Sequence, residues 1–122
     1  MVTNMENSLK FYMEGLGFEL KIKWEPDGTI EWCWLELGNA ALMLQEYHID
    51  APKEKLGIGI SVCFMCEDAL AIYKEIKSRG ISTTTAPFVG NNLWVVSLKD
   101  PDGYNIFFES KTDVKEGTIS KM

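Results

Sequence analysis

Apolar and polar positions recur along this chain with two periods, and the order of those periods is itself repeated. Met5, Leu9, Tyr12 and Leu16 fall at helical spacing behind Asn4, a residue suited to capping a helix, and Gly17 follows as a stop. Phe18, Leu20, Ile22 and Trp24 then alternate with Glu19, Lys21, Lys23 and Glu25, which predicts a strand with one wet face. Pro26, Asp27 and Gly28 form a turn signal, Glu31 to Leu37 reads as a strand, Gly38-Asn39 as a tight hairpin, and Ala40 to Glu46 as the next strand. A polar connection runs from about Tyr47 to Lys55.

The pattern then begins again. Ile58, Ile60, Val62 and Phe64 alternate along a strand, and Glu67 to Arg79 is a helix with the stripe Ala69, Ile72, Tyr73 and Ile76, ended by Gly80. Ile81 to Ala86 reads as a strand, Gly90-Asn91-Asn92 as a turn, Leu93 to Leu98 as a strand, Asp100-Pro101-Asp102-Gly103 as a turn, and Tyr104 to Glu109 as the last strand. From Ser110 the tail is polar and is expected to be loose.

The two runs align. Ser8-Leu9-Lys10-Phe11-Tyr12 matches Ala69-Leu70-Ala71-Ile72-Tyr73, Gly17-Phe18 matches Gly80-Ile81, and Leu42-Met43-Leu44 matches Ile106-Phe107-Phe108. The pattern therefore predicts an α+β domain over residues 1–110, built from modules at about 1–46 and 57–110, with 111–122 as a tail. One inequality stands out. The second module opens with a full strand, whereas the first has only Met1-Val2-Thr3 in that place. Either that first strand is a stub or the sequence begins several residues inside its natural domain.

Composition narrows the function classes. The chain has 122 residues, 46% hydrophobic and 25% charged, an ordinary balance for one domain with a sizeable core. Its formal charge of -6 argues against nucleic acid, whose binding needs a basic face, and would suit a cationic ligand. No apolar run approaches the ~18 residues of a membrane span, and no charged-then-apolar leader is seen. Three cysteines, Cys33, Cys63 and Cys66, are an odd number in a domain that needs no staples, which points to a reducing cytoplasm.

Several stretches carry a resemblance. Val2 to Tyr12, Leu16-Gly17-Phe18, Ala41 to Glu46 and Asp100 to Ile106 resemble the vicinal-oxygen-chelate superfamily of glyoxalases, bleomycin-resistance proteins and extradiol dioxygenases. The resemblance implies two βαβββ modules whose strands form a curved mixed sheet around a cup, the first strand being truncated here, and a homodimer. The metal enzymes of that superfamily hold their ion with His or Glu at four equivalent strand positions. Three of these fall on Met43, Ser61 and Phe107, and the fourth would precede Met1. A thioether, a hydroxyl and a phenyl ring are not a divalent-metal donor set, so no metal or other cofactor is expected.

Alternation gives an independent assignment of faces. The helix-covered side of a sheet should be uniformly apolar, as Leu42 and Leu44, Ile60, Val62 and Phe64, Cys33, Leu35 and Leu37, and Ile106 and Phe108 are. That leaves Trp32, Trp34, Glu36, Met43, Gln45, Ser61, Cys63, Phe107 and Glu109 for the cup. Apolar walls with a few orienting polar groups suit a small ligand, and flat rings suit a planar or cationic one. The same rings could instead fill space against a partner subunit. Trp24 and Trp94 fall on or near the apolar parity and are expected in the core or at loop edges.

Other constellations point less sharply. Cys63 and Cys66 form a CxxC, but residues three apart on a strand face opposite ways, so two small buried thiols compete with any redox role. His48, the only histidine, lies in the polar connection with no nucleophile near it in sequence. Glu109 is the one candidate for a general base, against a role as a simple ligand contact. Asp100 and Asp102 are expected to shape a turn. The expectation is a metal-independent protein that binds a planar or cationic small molecule such as an antibiotic. The alternatives are a lyase, isomerase or dioxygenase-like enzyme with an atypical site, and an interaction module whose cup is filled by side chains.

Overall fold

A computed structural model describes residues 1–46, 56–57 and 59–121. The expected connection Tyr47–Lys55, with His48, lies outside the described residues, as does Ile58. The chain forms two compact units, one of Met1–Ile58 with Pro101–Gly103, the other of Gly59–Asp100 with Tyr104–Met122.

In the first unit Asn4 caps α1 (Met5–Leu9), its side-chain oxygen accepting from the Asn7 amide at 3.0 Å. The helix continues into a π-helical turn over Lys10–Gly15. Met5, Tyr12 and Leu16 of the expected stripe are buried, and Tyr12 meets Phe11 and Phe18 edge to face, with ring centroids 5.1 and 5.9 Å apart. Gly17, at φ 88°, makes the left-handed exit. Three antiparallel strands follow in the order β1 (Glu19–Trp24), β2 (Trp32–Leu37), β3 (Ala40–Gln45). In the place of an opening strand only a short segment pairs. Val2 makes one parallel bridge to Glu46, its amide donating to the Gln45 carbonyl at 2.8 Å. Thr3 is tied to Asp102, whose carboxylate accepts from the Thr3 amide at 3.2 Å and from its hydroxyl at 2.5 Å. The Asp-Pro-Asp-Gly turn thus anchors the stub as well as shaping a hairpin.

The second unit repeats this plan with its first strand complete. β4 (Ser61–Met65) leads to α2 (Ala69–Ser78) and then β5 (Phe88–Gly90), β6 (Leu93–Lys99) and β7 (Asn105–Lys111), in the order β4-β7-β6-β5. β4 runs parallel to β7, as the Val2 stub runs parallel to the end of β3, so the sequence repeat is a repeat of topology. Asp68 caps α2 by accepting from the Ala71 amide at 3.1 Å, and the Ala69 amide donates to buried Ser110 Oγ at 2.9 Å. Ala69, Tyr73 and Ile76 are buried, and Val96, Leu98, Ile106 and Phe108 form the apolar layer, with Phe64 stacked on Phe108 at 5.4 Å.

Two expectations need correcting. Ile81 to Ala86 is not a strand. The Thr84 amide makes one bond to the Ser97 carbonyl of β6 at 2.7 Å, but the Thr83 hydroxyl donates to the Thr85 carbonyl at 2.8 Å and Pro87 has no amide hydrogen, so no ladder forms before Phe88. The tail is not loose either. Val89 donates to the Thr118 carbonyl at 2.8 Å, Gly117 donates back to the Val89 carbonyl at 2.9 Å, and Ser120 donates to the Pro87 carbonyl at 2.8 Å. Among the described residues, no helix is long and apolar enough to cross a membrane.

Candidate functional site

The predicted site residues lie on one open sheet face in each unit. In the first unit the ladder places Trp24, Trp32 and Gln45 in one row across the strands, and Ile22, Trp34 and Met43 in the next. Trp24 is 59% exposed, Met43 58% and Ile22 55%, while Trp32 and Trp34 are half-buried. The other face of the same strands carries Cys33, Leu35 and Leu44, all buried. Contiguous exposed apolar surface of this kind is unusual on a protein that has nothing to bind. The Trp34 indole N–H donates to Glu36 Oε2 at 2.8 Å, which fixes the plane of that ring.

Trp24, the last residue of β1, stands at the loop edge and not in the core, which corrects the apolar parity assigned to it. The register of β1 against β2 shifts between Leu20 and Ile22, a β-bulge that spends one extra residue, Lys21. Leu20 still pairs with core-facing Leu35, but Ile22 pairs with Trp34 and Trp24 with Trp32. Everything after the bulge is turned to the opposite face. Glu31 donates to the Trp24 carbonyl at 2.9 Å and closes the loop, which sets Trp24 opposite Trp32. Trp94 is different: it shares a row with buried Val89 and Ser110, on the core side of its sheet.

In the second unit Ser61, Asn105 and Lys99 form one row, Cys63, Phe107 and Ser97 the next, and Met65, Glu109 and Val95 a third. Ser61 and Cys63 are exposed; Phe107 and Glu109 are half-buried. The Cys63 thiol lies close to the Glu109 carboxylate. Its pKa is pushed up to about 11, first by desolvation of the sulfur and then by that carboxylate, which disfavours a second negative charge. Exposed though the residue is, its thiol is a donor at neutral pH and a poor nucleophile. Cys66 lies just past β4, its sulfur donating to the Glu109 carbonyl at 3.5 Å, and burial raises its pKa too. All three cysteines are free.

Trp32, Trp34, Met43 and Gln45 thus share one face, and Ser61, Cys63, Phe107 and Glu109 share another. None of the eight lines the 580 Å³ groove of the first unit, which lies between the start of α1 and the β1–β2 loop and is bordered by Glu6, Glu25, Glu31 and Glu46. The Glu46 carboxylate there is engaged, accepting from the Met5 amide at 3.0 Å. The positions that would hold a superfamily metal, Met43, Ser61 and Phe107, offer no imidazole or carboxylate, so the residues present do not fit a divalent ion. Among the described residues no group of three or more His, Cys, Asp or Glu side chains is placed to hold one.

Residues 1–108 match the model of the Glyoxalase/Bleomycin resistance protein/Dioxygenase superfamily. Among solved structures the chain is similar to UcmS2, at 15% identity and TM-score 0.76, covering 90% of this chain and 92% of that one. It is also similar to TnmS3, described as an antibiotic binding protein from Streptomyces sp. CB03234, at 21% identity and TM-score 0.72, covering 91% and 89%. A glyoxalase/bleomycin resistance protein from the same Streptomyces matches at 21% identity and TM-score 0.70, covering 89% and 93%. At these identities the likeness is one of fold. No curated protein matches the sequence.

Proposed function

Because the chain belongs to the Glyoxalase/Bleomycin resistance protein/Dioxygenase superfamily, and because its own strands hold open a face of three tryptophans, we propose that it binds a planar small molecule without a metal ion. The observation that carries this is the pair of rows Trp24–Trp32 and Ile22–Trp34–Met43, left uncovered in a chain with an ample buried core elsewhere. Stacking on indole supplies affinity with little ordering cost, because the rings are already held in a ladder. Gln45 and Glu36 border the rings, and a carboxylate beside indole favours a ligand with positive charge. Ser61, Cys63, Phe107 and Glu109 form a second binding face, within the second unit, with Cys63 and Glu109 as hydrogen-bonding groups rather than nucleophile and base. An antibiotic-binding protein among the structural neighbours supports the class of ligand. The reading is completed by a homodimer in a reducing cytoplasm.

The test is calorimetric titration of the purified chain with a panel of planar compounds, bleomycin-type antibiotics included, with and without chelator. Saturable binding indifferent to chelator is expected. Binding that requires an added divalent metal would overturn the metal-independent reading, and no heat with any compound would overturn the choice of ligand class. Trp32→Ala is expected to weaken the ligand about tenfold or more, the scale of one lost ring contact.

A further inference from the structure

The last dozen residues do something that the repeat does not require. After β7 ends at Lys111 the chain passes the β5–β6 turn, where the Thr112 amide donates to the Asn92 carbonyl at 3.0 Å and the Glu116 carboxylate accepts from the Asn91 amide at 3.1 Å. Asn91 and Asn92 both hold positive φ, 53° and 63°, so this turn presents backbone groups outward and the tail takes them up. A compact turn follows, with the Thr118 amide and hydroxyl both donating to the Lys115 carbonyl, at 3.1 and 2.7 Å. The segment from Gly117 to Ser120 then lies antiparallel along the outer edge of β5, through three backbone hydrogen bonds and a bridge between Phe88 and Ile119.

This added strand is held by its backbone. Ile119 is 63% exposed and Val114 40%, so neither large apolar side chain of the tail is anchored in the core. Hydrogen bonds exchanged with water contribute only modestly to net stability, and without buried side chains behind them such a segment opens at far lower free energy than the β6–β7 ladder. What it uncovers is a strand edge with the amide of Val89 and the carbonyls of Pro87 and Val89 free to pair again.

We propose that the outer edge of β5 is a strand-accepting surface, filled in the isolated chain by residues 117–120, and that its partner in trans is the same segment of a second copy of this chain. The identity of the occupant follows from complementarity: the segment that pairs in cis offers the same donors and acceptors in the same register from another copy, as in strand exchange. The short link 112–116 is the hinge.

The test uses a chain ending at Thr112 and a synthetic peptide of residues 113–122. Saturable one-to-one binding is expected, with the Val89 amide becoming protected from hydrogen exchange. A peptide carrying Gly117→Pro and Ser120→Pro lacks both donors and should bind about tenfold more weakly or worse. A shortened chain that stays folded and binds neither peptide would overturn the proposal. Should that chain fail to fold, the full chain decides by hydrogen exchange. A Val89 amide exchanging much faster than those of the β6–β7 ladder, and slowing as protein concentration rises, supports exchangeable pairing. A Val89 amide as slow as that ladder at every concentration refutes it.

Discussion

Ser8 is a buried residue with an uncompensated cost. It is fully buried in α1, and among the described residues its hydroxyl has no hydrogen-bond partner. Its counterpart in the repeat is Ala69, which is buried and apolar. Removing a buried polar group that has no partner is neutral or favourable. Ser8→Ala is therefore expected to leave stability unchanged or raise it by about 1 kcal/mol, read from urea denaturation midpoints at constant slope. Cys63 gives a pH prediction at the same scale. Below the ordinary thiol value of 9.0 both folded and unfolded chains carry the proton on Cys63; between there and about 11 only the unfolded chain releases it. Folding stability thus falls as pH rises through that window. Glu109→Gln removes the carboxylate but leaves the desolvation, the larger cause, so the Cys63 pKa should drop only part of the way to its ordinary value. Alkylation rates followed against pH, with Cys33 and Cys66 replaced by Ser, would show the profile move to lower pH; an unmoved profile would mean Glu109 does not act on the thiol.

At the scale of elements, much of the chain was legible because its local signals agree. The cap at Asn4, the exits at Gly17 and Gly80 and the Gly38-Asn39 hairpin all stand where spacing and residue type put them. The failures share a cause. A bulge has no residue signature of its own, so parity counted forward from Phe18 fails after Lys21 and puts Trp24 on the wrong face. Ile81 to Ala86 has good strand propensity, but propensity does not show that its pairing with β6 stops at the single bond from Thr84 to Ser97. The tail looked loose because its contacts are made by backbone, which composition does not report. α2 offers a direct check. Asp68→Ala removes the side-chain acceptor for the Ala71 amide and should cost about 1 kcal/mol in thermal or urea unfolding. An indistinguishable variant would mean that the Ser110 bond to Ala69 holds this helix start unaided.

At the scale of the molecule, the sequence repeat reappears as two units of one topology, and the superfamily match gives the fold. Which strand positions share a face was also readable: Trp32, Trp34, Met43 and Gln45 do, and Ser61, Cys63, Phe107 and Glu109 do. The ligand was not readable, because a scaffold of this kind serves many chemistries and only the side chains on its open faces select among them. The proposed binding rests on the aromatic face of the first unit. Tryptophan fluorescence, titrated with a planar compound that binds, tests it most directly, comparing the unaltered chain with Trp34→Ala and Trp94→Phe. Saturable quenching is expected to persist in Trp94→Phe and to weaken about tenfold or more in Trp34→Ala. Quenching that survives Trp34→Ala unchanged but disappears in Trp94→Phe would place the ligand elsewhere and contradict the account.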